Sequence, residues 1–240
     1  MLHILNPEKF TETVAGWMVE TIQSVLKRQE RFLLVLSGGN TPKALHQLLA
    51  HSPYRERVDW QKIHIFWGDE RDVSFTDERN NAKMAFDTLL KSVPVPASQI
   101  HVIQTDLPPA ESASAYEKIL EQYFERDGSP SFDLVLLGMG DDGHTLSLFP
   151  HMPVIHEEKK WVDAYYLEAQ KMFRITLTRP IVNRAVVIAF LTTGQNKAGA
   201  LKEVLEGNYN PDLYPAQSIK PVHGELHWFV DDAAASLLSK

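Results

Sequence analysis

Apolar residues at Phe10, Val14, Trp17, Met18, Ile22, Val25 and Leu26 recur at three- and four-residue intervals. That spacing predicts a helix, with Asn6 as its N-cap and Pro7 in its first turn. The run RFLLVL (31–36) has no alternation and breaks at SGG, as a strand buried on both faces would. TPKALHQLLA follows as a helix, with Thr41 as cap and Pro42 at its first position. KIHIFW (62–67) reads as a second strand, followed by a helix from about Asn80 to Lys91. A short strand at 99–103 and a helix at 109–124 come next. FDLVLLG (132–138) is the strongest strand signal in the chain. WVDAYY and FRITLT read as two neighbouring strands, AVVIAFL (185–191) as another buried one. A glycine-led helix (194–207), a strand at 226–230 and a last short helix complete the pattern.

Strands alternate with helices from end to end, which predicts an α/β fold: a mostly parallel sheet with helices on both faces. No internal repeat or linker interrupts the 240 residues, so one domain over 1–240 is expected. In open parallel sheets ligands bind beyond the carboxyl ends of the strands. Four polar segments follow four of these strands: SGGNTP, GDERD, MGDDGHT and TTGQNKA. One chemical rim is therefore expected.

Composition narrows the chemistry. The net charge of −7 argues against nucleic acid or anionic membrane as a partner, so cations for an anionic ligand must be local. With no cysteine, thiol catalysis, disulfides and cysteine-ligated zinc are excluded. The first residues lack a signal-peptide pattern, and no apolar run approaches the ~20 residues of a membrane helix. A soluble, cytoplasmic protein is expected.

In SGGNTP, Gly38 and Gly39 let backbone N–H groups approach an anion, and Ser37, Asn40 and Thr41 can donate to it. Alone, the same residues also make an ordinary strand-to-helix turn. Lys197 sits in the first turn of a helix, where the macrodipole disfavours a cation and a bound anion would relieve the conflict. In GDERD, Arg71 can fork onto phosphate or carboxylate, and Asp69 or Glu70 can orient a base or a hydroxyl. A surface ion-pair cluster is the plain alternative. His144 is the one histidine that a glycine turn delivers to the end of a central strand. Imidazole titrates near neutrality and can take a proton from water and return it. Asp141 or Asp142 can cap a following helix or tune that imidazole. His144, His151 and His156 match no metal-ligand spacing, and no G-x-S-x-G elbow is present.

Together, SGGNTP, GDERDVSFTDERNN, LGMGDDGHTLSLFP, RITLTRPIVN and TTGQNKAGAL resemble, in order, the motifs of the 6-phosphogluconolactonase family, over about residues 30–205. Asn40, Ser74, Asn80, Asp141, Leu146 and His151 depart from the commonest family residues. The resemblance implies a Rossmann-like sheet. It implies hydrolysis of 6-phosphogluconolactone to 6-phosphogluconate, the second step of the oxidative pentose phosphate pathway, with no cofactor and no metal. The implied partner is a small sugar-phosphate lactone, and a monomer is expected. The phosphate tail is expected on Ser37 to Thr41, with Arg71 or Arg174 and Lys197 supplying charge. His144 activates water, Asp69 or Asp142 orients the ring, and N–H groups near Gly143 or an arginine meet the oxyanion. An isomerase or deaminase on the same fold is the first rival, but the glutamate of its G-H-I-A-F-N-E-P motif has no counterpart in GHTLSLFP. A sugar-phosphate sensor is the second. It would bind 6-phosphogluconate without accelerating loss of the lactone.

Overall fold

The computed structural model describes residues 1–239. Seven strands form one parallel sheet. In chain order they are β1 (Leu2–Leu5), β2 (Phe32–Leu36), β3 (Ile63–Trp67), β5 (Ile100–His101), β6 (Leu134–Leu137), β9 (Val187–Thr192) and β10 (Glu225–Asp231). Their spatial order is β1-β10-β9-β6-β2-β3-β5. Every residue of β2 and of β6 is buried, as their unbroken apolar runs require. The edge strand β1 instead alternates, with Leu2 and Ile4 exposed.

From β2 the chain winds outward through β3 to β5, then returns to lay β6 on the other side of β2. The β2–β6 boundary is thus the point where the winding reverses, and a crevice opens there beyond the strand ends. The helices are α1 (Phe10–Leu26), α2 (Asn40–Leu49), α3 (Tyr54–Arg57), α4 (Asn81–Ala85), α5 (Pro109–Leu120), α6 (Arg179–Val182) and α7 (Ala198–Glu206). The helix expected over 80–91 is present, but beyond Ala85 it relaxes into a π-helical turn, Phe86–Leu90.

A second, three-stranded antiparallel sheet stands beside the first, in the order β4 (Asp69–Arg71), β8 (Met172–Leu177), β7 (Val162–Leu167). The two neighbouring strands expected from WVDAYY and FRITLT are its β7 and β8. Its third strand is the GDERD segment, which the sequence presents as a loop. Gly68 joins the two sheets: its N–H donates to the Leu36 carbonyl (3.0 Å) and its own carbonyl accepts from Leu177 N–H (2.8 Å).

Three local expectations are corrected. Thr41 does not cap α2. Gly39, at φ 101°, turns the chain one step earlier, so the helix starts at Asn40 and Pro42 falls third. The Thr41 hydroxyl lies instead 2.8 Å from that of Thr193. No helix follows His144 either, so neither Asp141 nor Asp142 caps one. Thr145 bridges to Leu148, and the left-handed backbone of Leu146 (φ 54°) and His151 (φ 63°) forbids helical continuation. The final short helix is a single 3-10 turn, Ala234–Leu237.

Candidate active site

The carboxyl ends of β2, β3, β6 and β9 converge on a cavity of about 270 Å³ at the winding reversal. Ser37, Gly38 and Gly39 after β2 form one wall, and Gly138 to Gly140 after β6 form the floor with His144. Asp69 and Arg71 of β4, Arg174 of β8, and Lys197 after β9 close the rest, with Asn81, Leu146, Phe149 and Gln170.

His144 is held on two sides. Its Nδ1 lies 2.6 Å from Asp142 Oδ1, and the same oxygen accepts the His144 backbone N–H at 3.0 Å. This two-residue carboxylate turn orients ring and backbone together. Burial works to raise the Asp142 carboxyl, but its bonds to His144 outweigh that and hold it below the usual carboxylate range. An ionised carboxylate only accepts, so Nδ1 carries the proton and Nε2 keeps its lone pair. The Phe149 ring stacks on the imidazole, with centroids 4.0 Å apart at 20°. Gly140 makes room for the arrangement, since a Cβ there would strike Nδ1 of His144.

Three cations face one carboxylate in the cavity: Arg71, Arg174 and Lys197 against Asp69. Arg71 and Arg174 sit opposite each other across the β4–β8 ladder. Both have a buried Nε with no protein acceptor among the described residues. Arg71 anchors to the Arg79 carbonyl (2.7 Å) and Arg174 to the Gln170 side chain. Burial lowers the Arg174 guanidinium below its ordinary value, chiefly through lost hydration. The Arg174 guanidinium also lies 5.5 Å from the centre of the Phe149 ring, which touches His144 in turn. Among the described residues Lys197 enters no salt bridge, and no group of three or more His, Asp or Glu side chains converges.

The cavity brings together Ser37, Gly38, Gly39, Asp69, Arg71, His144, Arg174 and Lys197 of the expected residues. Asn40 and Thr41 line an adjoining cavity of about 360 Å³, which shares Gly38, Gly39, Gly138, Met139 and Lys197 with the first. Asp142 stands behind His144 rather than in the lining. Gly143 is outside the lining too, and its N–H is taken by the Gly140 carbonyl (3.2 Å), so it offers no oxyanion donor. Among the described residues the backbone N–H groups of Gly38 and Gly39 have no such acceptor.

Asp69 accepts a 2.6 Å hydrogen bond from the buried Ser147 hydroxyl. Sequence reasoning left out Ser147, Phe149, Asn81 and Gln170. Of Asp69 and Glu70, the two carboxylates that could orient a base or a hydroxyl, Glu70 does not reach the cavity: its side chain points away and is buried. Reading DER as a strand would have found this, because successive residues point to opposite faces.

The family model for glucosamine-6-phosphate isomerases/6-phosphogluconolactonase matches residues 5–228. A probable chloroplastic 6-phosphogluconolactonase of Oryza sativa is 41% identical, over 99% of this chain and 76% of that protein. A 6-phosphogluconolactonase of Synechocystis is 37% identical, over 98% and 96% of the two chains. The solved 6-phosphogluconolactonase of Trypanosoma cruzi superposes with a TM-score of 0.87 at 25% identity, covering 100% of this chain and 97% of that one. The chain belongs to this family of sugar-phosphate isomerases and lactonases.

Proposed function

We propose that this family member hydrolyses 6-phosphogluconolactone to 6-phosphogluconate, with His144 as the base that activates water. The observation that carries the reading is His144 itself: Nδ1 is tied to Asp142, so Nε2 is left for a cavity that also holds Arg71, Arg174 and Lys197. The phosphate dianion binds between the unspent N–H groups of Gly38 and Gly39 and the charges of Lys197 and Arg71. Ser37 adds a hydroxyl, and Asn40 and Thr41 shape the far side of that turn from the adjoining cavity.

Nε2 takes a proton from water as the water oxygen bonds to the lactone carbonyl carbon. Charge develops on the carbonyl oxygen, where Arg174 is the donor with hydrogen-bonding capacity to spare. The ring C–O bond then breaks, and His144 returns its proton to the departing ring oxygen. Asp69, fixed by Ser147, accepts from a ring hydroxyl. No step requires a metal or an organic cofactor. We place the enzyme in the cytoplasm, acting as a monomer. Among the described residues no helix is long and apolar enough to cross a membrane.

The test uses lactone generated freshly by glucose-6-phosphate dehydrogenase and follows its disappearance at neutral pH. The wild-type protein is expected to accelerate loss over the spontaneous blank, and His144→Ala to lose about 10²–10⁴-fold of that rate. Its melting temperature should stay close to wild type, since a half-buried rim histidine holds little of the core. Wild-type activity surviving in the variant would remove His144 from this role. No acceleration by the wild type, with 6-phosphogluconate still bound, would favour a sensor.

A further inference from the structure

We propose that Glu70 is a positioning residue, a buried carboxylate clamp that sets Asp69, Arg71 and Asn81 in register with the glycine turn after β2. The inference rests on the lactonase reading and adds a residue to it. β4 alternates, so Asp69 and Arg71 face the cavity while Glu70 faces inward, 1% exposed. There its Oε1 accepts the backbone N–H groups of Arg71 and Asn81, both at 2.8 Å. Its Oε2 accepts that of Ala82 at 2.9 Å. No salt bridge reaches it among the described residues. A buried carboxylate without a paired cation is costly, and such groups concentrate where they serve a site.

Glu70 does more than complete the cap of α4. Asn80 already caps α4 through its side chain, bonding Lys83 N–H at 2.7 Å, and its carbonyl takes Met84 N–H. The two donors left to Glu70 are the first N–H groups of α4, those of Asn81 and Ala82, and Asn81 leads directly to the cavity. Asn81 lies in the lining and is 3% exposed. Its Nδ2 donates to the Asp69 carbonyl at 3.0 Å, and its Oδ1 presses on Gly38, where any Cβ would overlap it. One carboxylate thereby couples the strand bearing Asp69 and Arg71 to the turn assigned to the phosphate. The charged and titratable groups around it are Asp69 and Arg71 on its own strand, Arg174 on β8 and Tyr116 on α5. Burial, partly offset by the three N–H bonds, pushes Glu70 up to about 7, so the clamp is ionised above neutrality.

Glu70→Gln keeps the shape but turns one acceptor into an NH₂ facing an N–H donor. At pH 8 we expect its KM for fresh lactone to rise about tenfold, with kcat within about threefold. Asn81→Ala should act the same way. The double variant should be no worse than the poorer single, since both cut one chain of dependence. Ile22→Ala, a core truncation in α1 remote from the cavity, serves as a stability control and should leave KM unchanged despite a lower Tm.

A KM within twofold of wild type in folded Glu70→Gln would overturn the proposal. So would losses that multiply in the double variant, or an equal KM rise in Ile22→Ala. If Glu70→Gln does not fold, Asn81→Ala decides alone, and an unchanged KM there overturns the clamp. If the wild type shows no lactonase activity, that reading falls separately. The clamp is then judged by affinity for inorganic phosphate: about tenfold weaker in the variants supports it, and equal affinity overturns it.

Discussion

His144 reacts as its neighbours allow, and each neighbour removes one freedom. Asp142 fixes the tautomer and Phe149 fixes the ring plane. Asp142→Asn keeps the size but can present an NH₂ to Nδ1, which favours the tautomer with its lone pair on the wrong nitrogen. We expect kcat to fall at least 10-fold to 100-fold with KM nearly unchanged, measured with the fresh-lactone assay. A KM effect instead would move Asp142 from the base to the binding face. At this scale the sequence was partly legible. A histidine in a glycine turn at a strand end stands out, as do Arg71 and Lys197. It did not decide between Asp141 and Asp142, because that depends on a turn in which one carboxylate oxygen meets both backbone and ring of the residue two ahead. Nor did it reveal Phe149, whose place in an apolar motif looks like ordinary core.

Elements built from long apolar runs were readable, and those defined by pairing were not. β2, β6 and β9 follow from unbroken hydrophobicity, and β3 from an apolar run that only His64 interrupts. β1 is short and lies on an edge, and β4 is three polar residues whose strand character comes only from β8 alongside. That hidden strand carries a pH signature. Glu70 in the fold titrates at about 7, above its ordinary 4.5. The folded state therefore holds a proton between those values that the unfolded chain has released. The resulting stabilisation is full below pH 4.5 and is lost as pH rises through about 7. The loss is on the order of 3 kcal/mol. Buried His46, pushed down from 6.5 to about 4, contributes the opposite slope between those values, which overlaps most of the Glu70 window. The difference between wild type and Glu70→Gln isolates the carboxylate. The wild type's urea midpoint, compared with the variant's at each pH, should lose ground steadily as pH rises from 4.5 to about 7.

Across the whole molecule, the two ends of the sheet divide the labour. The carboxyl rim collects the cations despite a net charge of −7, and among the described residues leaves the Nε atoms of Arg71 and Arg174 without an acceptor. The amino rim spends its polar groups on itself. Asp133, just before β6, is buried, accepts Leu33 N–H at 2.7 Å and holds Gln29 at 2.8 Å. Substitutions at the two ends should therefore separate cleanly. Lys197→Ala removes a cation with no ion pair, so KM should rise about tenfold while the urea midpoint stays put. Asp133→Ala strands a buried backbone donor and should cost about 1–3 kcal/mol with kcat and KM intact. Because β1 pairs with β10, the chain's first and last strands share the sheet that carries the cavity. In Asp133→Ala, activity and secondary structure should thus disappear together, at one lowered urea midpoint. Activity lost well before the secondary structure would show a cavity that loosens apart from the sheet, and two units where the continuous ladder argues for one.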